Sequence, residues 1–203
     1  MPDGALERVY EYVREGTLLR ETFFAEHADA VVAVGRTLAV CLARGGKILF
    51  CGNGASAATA HNLAAAFVSR FEMERPPLPA MALTADTALL TAAGDDHGLE
   101  RIFARQVKAL GRPGDVLVGI TPTGNGAGVV TALREAREKG LTTVGMAGKN
   151  GEALQFSDLA ILVPHARVPL IQEIHMVCGH LLCGLVDHYL FEAVSELTPY
   201  LGG

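Results

Sequence analysis

The sequence predicts an α/β protein: a doubly wound, five-stranded parallel sheet with an N-terminal helical extension. Two observations carry this. Five short apolar runs alternate with helical segments, and the runs end in small polar and glycine-rich junctions. The runs are KILFCGNG (47–54), LPAMALT (78–84), DVLVGIT (115–121), TTVGMAG (142–148) and DLAILVP (158–164). Each is apolar along its length rather than alternating, as parallel strands covered on both faces are. The segments between and after them, 55–70, 86–93, 99–110, 126–139 and 169–192, read as helices.

Residues 1–45 are expected to be N-terminal helices of the same domain, and 46–195 the α/β body. Leu6, Val9, Tyr10 and Val13 form one helical stripe; Phe23, Phe24, Ala28, Val31, Val32 and Leu38 continue it after an expected break near Gly16. The stripe reads either as an ordinary core-facing helical pair or as an arm packed on another subunit.

With 203 residues, half of them apolar and 19% charged, the chain has material for one real core; a domain of this size buries roughly 70% of its unfolded surface. Seventeen basic against 22 acidic residues give a net charge of −5. No broad basic field exists to draw in phosphate backbones, which argues against general nucleic-acid or membrane-surface binding. Cys41, Cys51, Cys178 and Cys183 lie in apolar runs without CxxC spacing, so buried free thiols in a reducing compartment are expected. The first residues, MPDGALERVYEYVREG, lack a basic start followed by an apolar block. The apolar stretches stop short of a membrane span. The expected location is cytoplasmic.

In an open parallel sheet, ligands bind beyond the carboxyl ends of the strands. Two junctions there are built for an anion. Gly52-Asn53-Gly54-Ala55-Ser56 lets the backbone approach a ligand and opens a helix whose free N–H groups face it. Thr121-Pro122-Thr123-Gly124-Asn125-Gly126 adds two hydroxyls at an equivalent place. A helix end contributes about 0.3–1 kcal/mol and each hydrogen bond to a charged oxygen about 1.5–3 kcal/mol. Two converging loops therefore suffice for roughly micromolar binding of a phosphorylated small molecule. Neither loop is a dinucleotide or Walker-type fingerprint.

The stretch GNGASAATAHNLAAAFVSRFEMERPPLPAMALTADTALLTAAGDDHG, followed by RQVKALGRPGDVLVGITPTGN and by IQEIHMVCGHLLC, resembles the sugar isomerase (SIS) domain family, and within it the phosphoheptose isomerases. The similarity runs from about residue 45 to 190. It implies a flavodoxin-like sheet, a homotetramer with sites at subunit interfaces, and conversion of sedoheptulose 7-phosphate to D-glycero-D-manno-heptose 7-phosphate. In the isomerases resembled, the two loops read GNGGS and STSGNS, and their serines hold the phosphate. Ser56, Thr121 and Thr123 match hydroxyl positions of that pattern, whereas Ala55, Pro122 and Gly126 depart from it. The resemblance thus implies substrate binding by Asn53, Gly54, Ser56, Thr121, Thr123, Asn125 and Gln172.

The family's helix after the first loop carries H-x-x-x-E, a zinc ligand followed by the proposed base, itself a ligand. Here those positions hold Asn62 and Ala66. His61 is one residue early, about 100° around the helix, leaving open whether it still enters the pocket. Gln172, Glu173, His175 and His180 stand where the family has RIQE-x-H and a later histidine, with Pro169 and Leu170 in place of its acidic-arginine pair. Of the ligand set only Gln172 and His180 remain, so no metal site is assigned, and zinc is implied by family resemblance alone. Aldose–ketose isomerisation moves a proton between neighbouring carbons and needs a base and an acid. His180 is the candidate acid/base, and Asp96, where the family has G-N-D-x-G, is the nearest substitute carboxylate. The alternative is a non-catalytic module, a sugar-phosphate sensor or a partner of the bacterial replication initiator.

Overall fold

Five parallel strands form the middle layer, in the order β2-β1-β3-β4-β5. They are β1 (Ile48–Gly52), β2 (Ala80–Ala82), β3 (Val116–Thr121), β4 (Thr142–Ala147) and β5 (Leu159–Leu162). The structure, a computed structural model, describes residues 4–202. Three helices cover one face: α1 (Gly4–Ala43), α2 (Ala55–Val68) and α6 (Val168–Asp187). The other face carries α3 (Thr87–His97), α4 (Ile102–Leu110) and α5 (Ala127–Glu138). Beyond α6 a π turn, His188–Glu192, leads into α7 (Val194–Leu197).

The period of two along a strand explains the uninterrupted apolar runs. Ile48 and Phe50 of β1, with Val116, Val118 and Ile120 of β3, join the core under α1, α2 and α6. Leu49 and Cys51, with Leu117, join the second core under α3, α4 and α5. Both faces of β1 and β3 are covered, so both sets of alternate residues are apolar up to Thr121. All four cysteines are free and buried, and burial pushes each thiol up to about 12.

The N-terminal segment differs from its expectation. No break occurs at Gly16; α1 is one helix of 40 residues, about 60 Å long at 1.5 Å per residue. The reason is tertiary: a Cβ at Gly16 would lie 3.4 Å from Leu170, and one at Gly35 only 2.8 Å from Leu185. The two small residues let α1 lie close along α6, and that packing outweighs the helix-breaking tendency of glycine. Leu19, Phe23, Val31, Val34 and Leu38 are buried and Phe24 and Val32 half-buried, whereas Leu6, Val9, Tyr10, Val13, Leu18 and Ala28 are exposed. The core-facing reading of the stripe thus holds for the second half of the helix.

Helix α6 with its π turn is long and apolar enough, by length and composition, to cross a membrane. The expectation that no stretch reaches that length is corrected here. In this fold its Leu170, Ile174, Cys178, Leu182 and Val186 are buried in the core shared with α1 and α2. The RFEMERPP segment (70–77), which reads locally as a charged turn before the second strand, holds a buried ion pair. Arg75 Nε donates to Asp187 Oδ1 at 2.6 Å, and its Nη groups donate to the carbonyls of Ala66 and Phe67 at 2.9 and 2.8 Å. Arg75 thereby caps the carboxyl end of α2, where the helix dipole is negative, and ties it to α6.

Candidate functional site

From β1 the chain crosses to β2 on one side and then to β3 on the other. The order reverses between β1 and β3, which makes a crevice at their carboxyl ends. The two loops singled out in the sequence leave those two strands, and they converge. A Cβ at Gly126 would lie 3.0 Å from Thr121 Oγ1 and 3.7 Å from Asn53 Nδ2. Thr121 Oγ1 already accepts the Gly126 N–H at 3.2 Å. Thr123 is exposed and accepts the Asn125 N–H at 3.3 Å through its hydroxyl.

The crevice lacks its own satisfaction. Gly54 precedes α2 at φ +58° and Gly126 precedes α5, and neither helix start has a side-chain cap. Ser56, 1% exposed in the first turn of α2, has an Oγ without a hydrogen-bond partner. Leaving a buried hydroxyl unpaired costs about 1–3 kcal/mol, which an incoming oxygen acceptor recovers. Two converging helix starts without side-chain caps, one of them carrying an unpartnered hydroxyl, are the chemistry of a phosphate cradle.

A third loop, after β4, supports the second and was not flagged in the sequence. Asn125 Oδ1 accepts the Glu152 N–H at 2.9 Å, and Gly148 N–H donates to the Pro122 carbonyl at 3.0 Å. Gly124 has φ +72°, and a Cβ there would stand 2.1 Å from the Asn150 carbonyl oxygen, so this position excludes any side chain. The signal was the Gly148-Lys149-Asn150-Gly151 run, a third glycine-polar junction after a strand.

The second part of the site lies between α2 and α6. These helices touch closely, since a Cβ on Gly179 would come within 2.6 Å of Leu63. Gln172 is half-buried, and His180 is exposed with its ring 5.7 Å from that of Phe71. Asn62 is exposed and Ala66 half-buried, one turn apart on α2. His61 is turned away: it lines a shallow groove with Val68, Met81 and Ala85 at the β2 edge. His175 is buried, with Nε2 donating to the Ala147 carbonyl at 3.1 Å and Nδ1 unpartnered. Burial lowers its pKa to about 4, against a smaller raising effect of that hydrogen bond. His165 pairs with Glu15 at 3.3 Å.

Carboxylates at this face are engaged. Glu173 accepts a hydrogen bond from the Tyr12 hydroxyl, and Asp187 holds Arg75. Asp96 stands on α3, in a cleft of about 340 Å³ between α3 and α4 with Leu89, His97 and Arg105. It makes no hydrogen bond or ion pair among the described residues, so the chain's own contacts do not bring it to His180 or the loops. For zinc the donor set does not fit: no group of three His, Cys, Asp or Glu side chains among the described residues is arranged to hold a metal ion. Gln172 and His180 alone fall short of the three protein ligands of a catalytic zinc.

Comparison with known proteins follows the same outline. The SIS domain family matches residues 11–148. A phosphoheptose isomerase of Solidesulfovibrio magneticus is 59% identical over 99% of this chain and 98% of its own. One from Nitratidesulfovibrio vulgaris (strain Miyazaki F) is 56% identical over 100% and 98%. Among solved structures, the phosphoheptose isomerase of Francisella tularensis superposes with a TM-score of 0.88 at 33% identity, covering 92% of this chain and all of that one. That of Neisseria gonorrhoeae gives 0.85 at 37%, covering 90% and 98%.

Proposed function

The chain belongs to the SIS domain family, and on that premise we propose that it binds a seven-carbon sugar phosphate and isomerises it slowly. The substrate is sedoheptulose 7-phosphate, and the product D-glycero-D-manno-heptose 7-phosphate. The phosphate sits in the cradle of Asn53, Gly54, Ser56, Thr121, Thr123 and Asn125. The observation that carries this reading is the buried, unpartnered Ser56 hydroxyl at the point where two uncapped helices converge.

His180, exposed at the mouth of the α2–α6 face, is the acid/base. Asp96 stands on α3 and is not brought to His180 by the chain's own contacts, so it serves as the carboxylate only across a subunit boundary. The reaction is slow because the position one turn beyond Asn62 is Ala66, and a positioned base is worth about 10²–10⁴ in rate. Four copies assemble in the cytoplasm through the exposed apolar half of α1, Leu6, Val9, Tyr10 and Val13 among them. Light scattering tests the assembly, and a monomer would remove it.

The functional test pairs turnover with thermal stability. Sedoheptulose 7-phosphate at 100 times its Kd should stabilise the chain by about 2.7 kcal/mol, a shift of roughly 5–10 °C for a domain of this size. Sedoheptulose without phosphate should give no shift. A shift without turnover would reduce the function to binding, and the absence of both shift and turnover would refute the proposal.

A further inference from the structure

The face between α2 and α6 has been rebuilt rather than merely stripped. The isomerases that this chain resembles place a histidine and a glutamate one turn apart on α2, opposite a glutamine and a histidine on α6. Here the α2 pair is Asn62 and Ala66, neither of which is a group that zinc favours. No neighbour takes over. His61 opens on the β2 edge, and His175 is committed to the Ala147 carbonyl. Glu173 is held by Tyr12 and Asp187 by Arg75. Cys178 and Cys183 are buried among apolar side chains.

What the face does present is polar and uncommitted. Asn62 and His180 are exposed and Gln172 is half-buried, and none of their side chains has a hydrogen-bond partner among the described residues. The Phe71 ring lies beside His180. Two amides and an imidazole each offer both donors and acceptors, as sugar hydroxyls do, and an aromatic ring accepts the C–H faces of a sugar. We propose that Asn62, Gln172 and His180 form a metal-independent sugar-recognition surface, so that this chain binds its sugar phosphate without zinc. The proposal rests on the reading of the loops as a phosphate cradle.

Zinc content and ligand binding test it separately. The full chain is loaded with zinc, desalted and analysed for metal, and sedoheptulose 7-phosphate is titrated with zinc and with EDTA. The expected result is well under one zinc per chain and a Kd that differs by less than about twofold between the two titrations. Retention of stoichiometric zinc, or binding abolished by EDTA, would overturn the proposal. If neither titration shows binding, the phosphate-cradle reading fails, while the zinc content still decides the metal question.

Two variants sharpen the test. Asn62→Ala should weaken sugar-phosphate binding about tenfold and leave inorganic phosphate binding unchanged; equal affinity for the sugar phosphate would argue against the surface. The double variant Asn62→His with Ala66→Glu should bind one zinc and melt at a higher temperature when loaded. If it fails to fold, the zinc content of the unaltered chain and the Asn62→Ala titration stand as the test.

Discussion

The crevice between β1 and β3 and the face between α2 and α6 share one helix yet have different histories. The amino end of α2 supplies Ser56 to the crevice, which has hydroxyls at Ser56, Thr121 and Thr123 and two helix starts without side-chain caps. About two to three turns further along, the same helix carries Asn62 and Ala66 beside α6. Holding a phosphate uses backbone N–H groups that any side chain leaves in place. Moving a proton uses particular ionisable side chains at particular positions, and one substitution removes them. Binding and chemistry are therefore separable in this fold, even along a single helix of 14 residues.

That contrast breaks most visibly if the missing base is restored. Ala66→Glu should raise the turnover of sedoheptulose 7-phosphate by about 10²–10⁴, measured as kcat under saturating substrate. An unchanged kcat would mean that the poor chemistry of this face has another cause.

Next in size is the ion pair that holds the shared helix in place. Arg75→Met leaves Asp187 buried without its partner and frees the carbonyls of Ala66 and Phe67. Urea unfolding should show a loss of about 3–5 kcal/mol. A loss below 1 kcal/mol would show that α2 is fixed by apolar packing alone.

A smaller effect comes from His175, which joins α6 to the end of β4 behind both regions. Its folded pKa is lowered to about 4 from 6.5, so the unfolded chain takes up a proton in a range where the folded chain does not. Its contribution is full above pH 6.5 and is lost as the pH falls through about 4. Unfolding at pH 7 and pH 5 should differ by about 2 kcal/mol from this group. That difference should vanish in His175→Gln.

The smallest effect separates ligand-bound from free protein. Ser56→Ala removes a hydroxyl that has no partner in the free chain. Stability without ligand should hold or rise slightly, while affinity for the sugar phosphate falls about tenfold. Calorimetric titration reads the second and thermal unfolding the first. Equal affinity would take Ser56 out of the cradle.

Much of this molecule was legible as pattern. The five runs became the five strands because a strand covered on both faces has no polar alternate, a local rule that any window of the sequence displays. The convergence of the two glycine-rich loops was legible for a similar reason: glycines and hydroxyls between a strand and a helix point to one kind of geometry. The loss of the base was legible at Ala66 itself, since no folding can give alanine a proton to transfer.

Tertiary structure alone decided the rest, because each remaining feature joins residues far apart in sequence. Gly16 reads locally as a break, and only the approach of Leu170 makes it a contact inside one long helix. Arg75 reads as part of a charged turn until Asp187, 112 residues away, meets it in the core. The support of the second loop by Gly148–Glu152 required β4 to lie beside β3. The sequence by itself determined which residues are apolar, which helices begin without a cap and which proton-transfer groups are missing. Packing determined which of the remaining polar groups found partners, and so left the buried Ser56 hydroxyl, and the side chains of Asn62, Gln172 and His180, without one among the described residues.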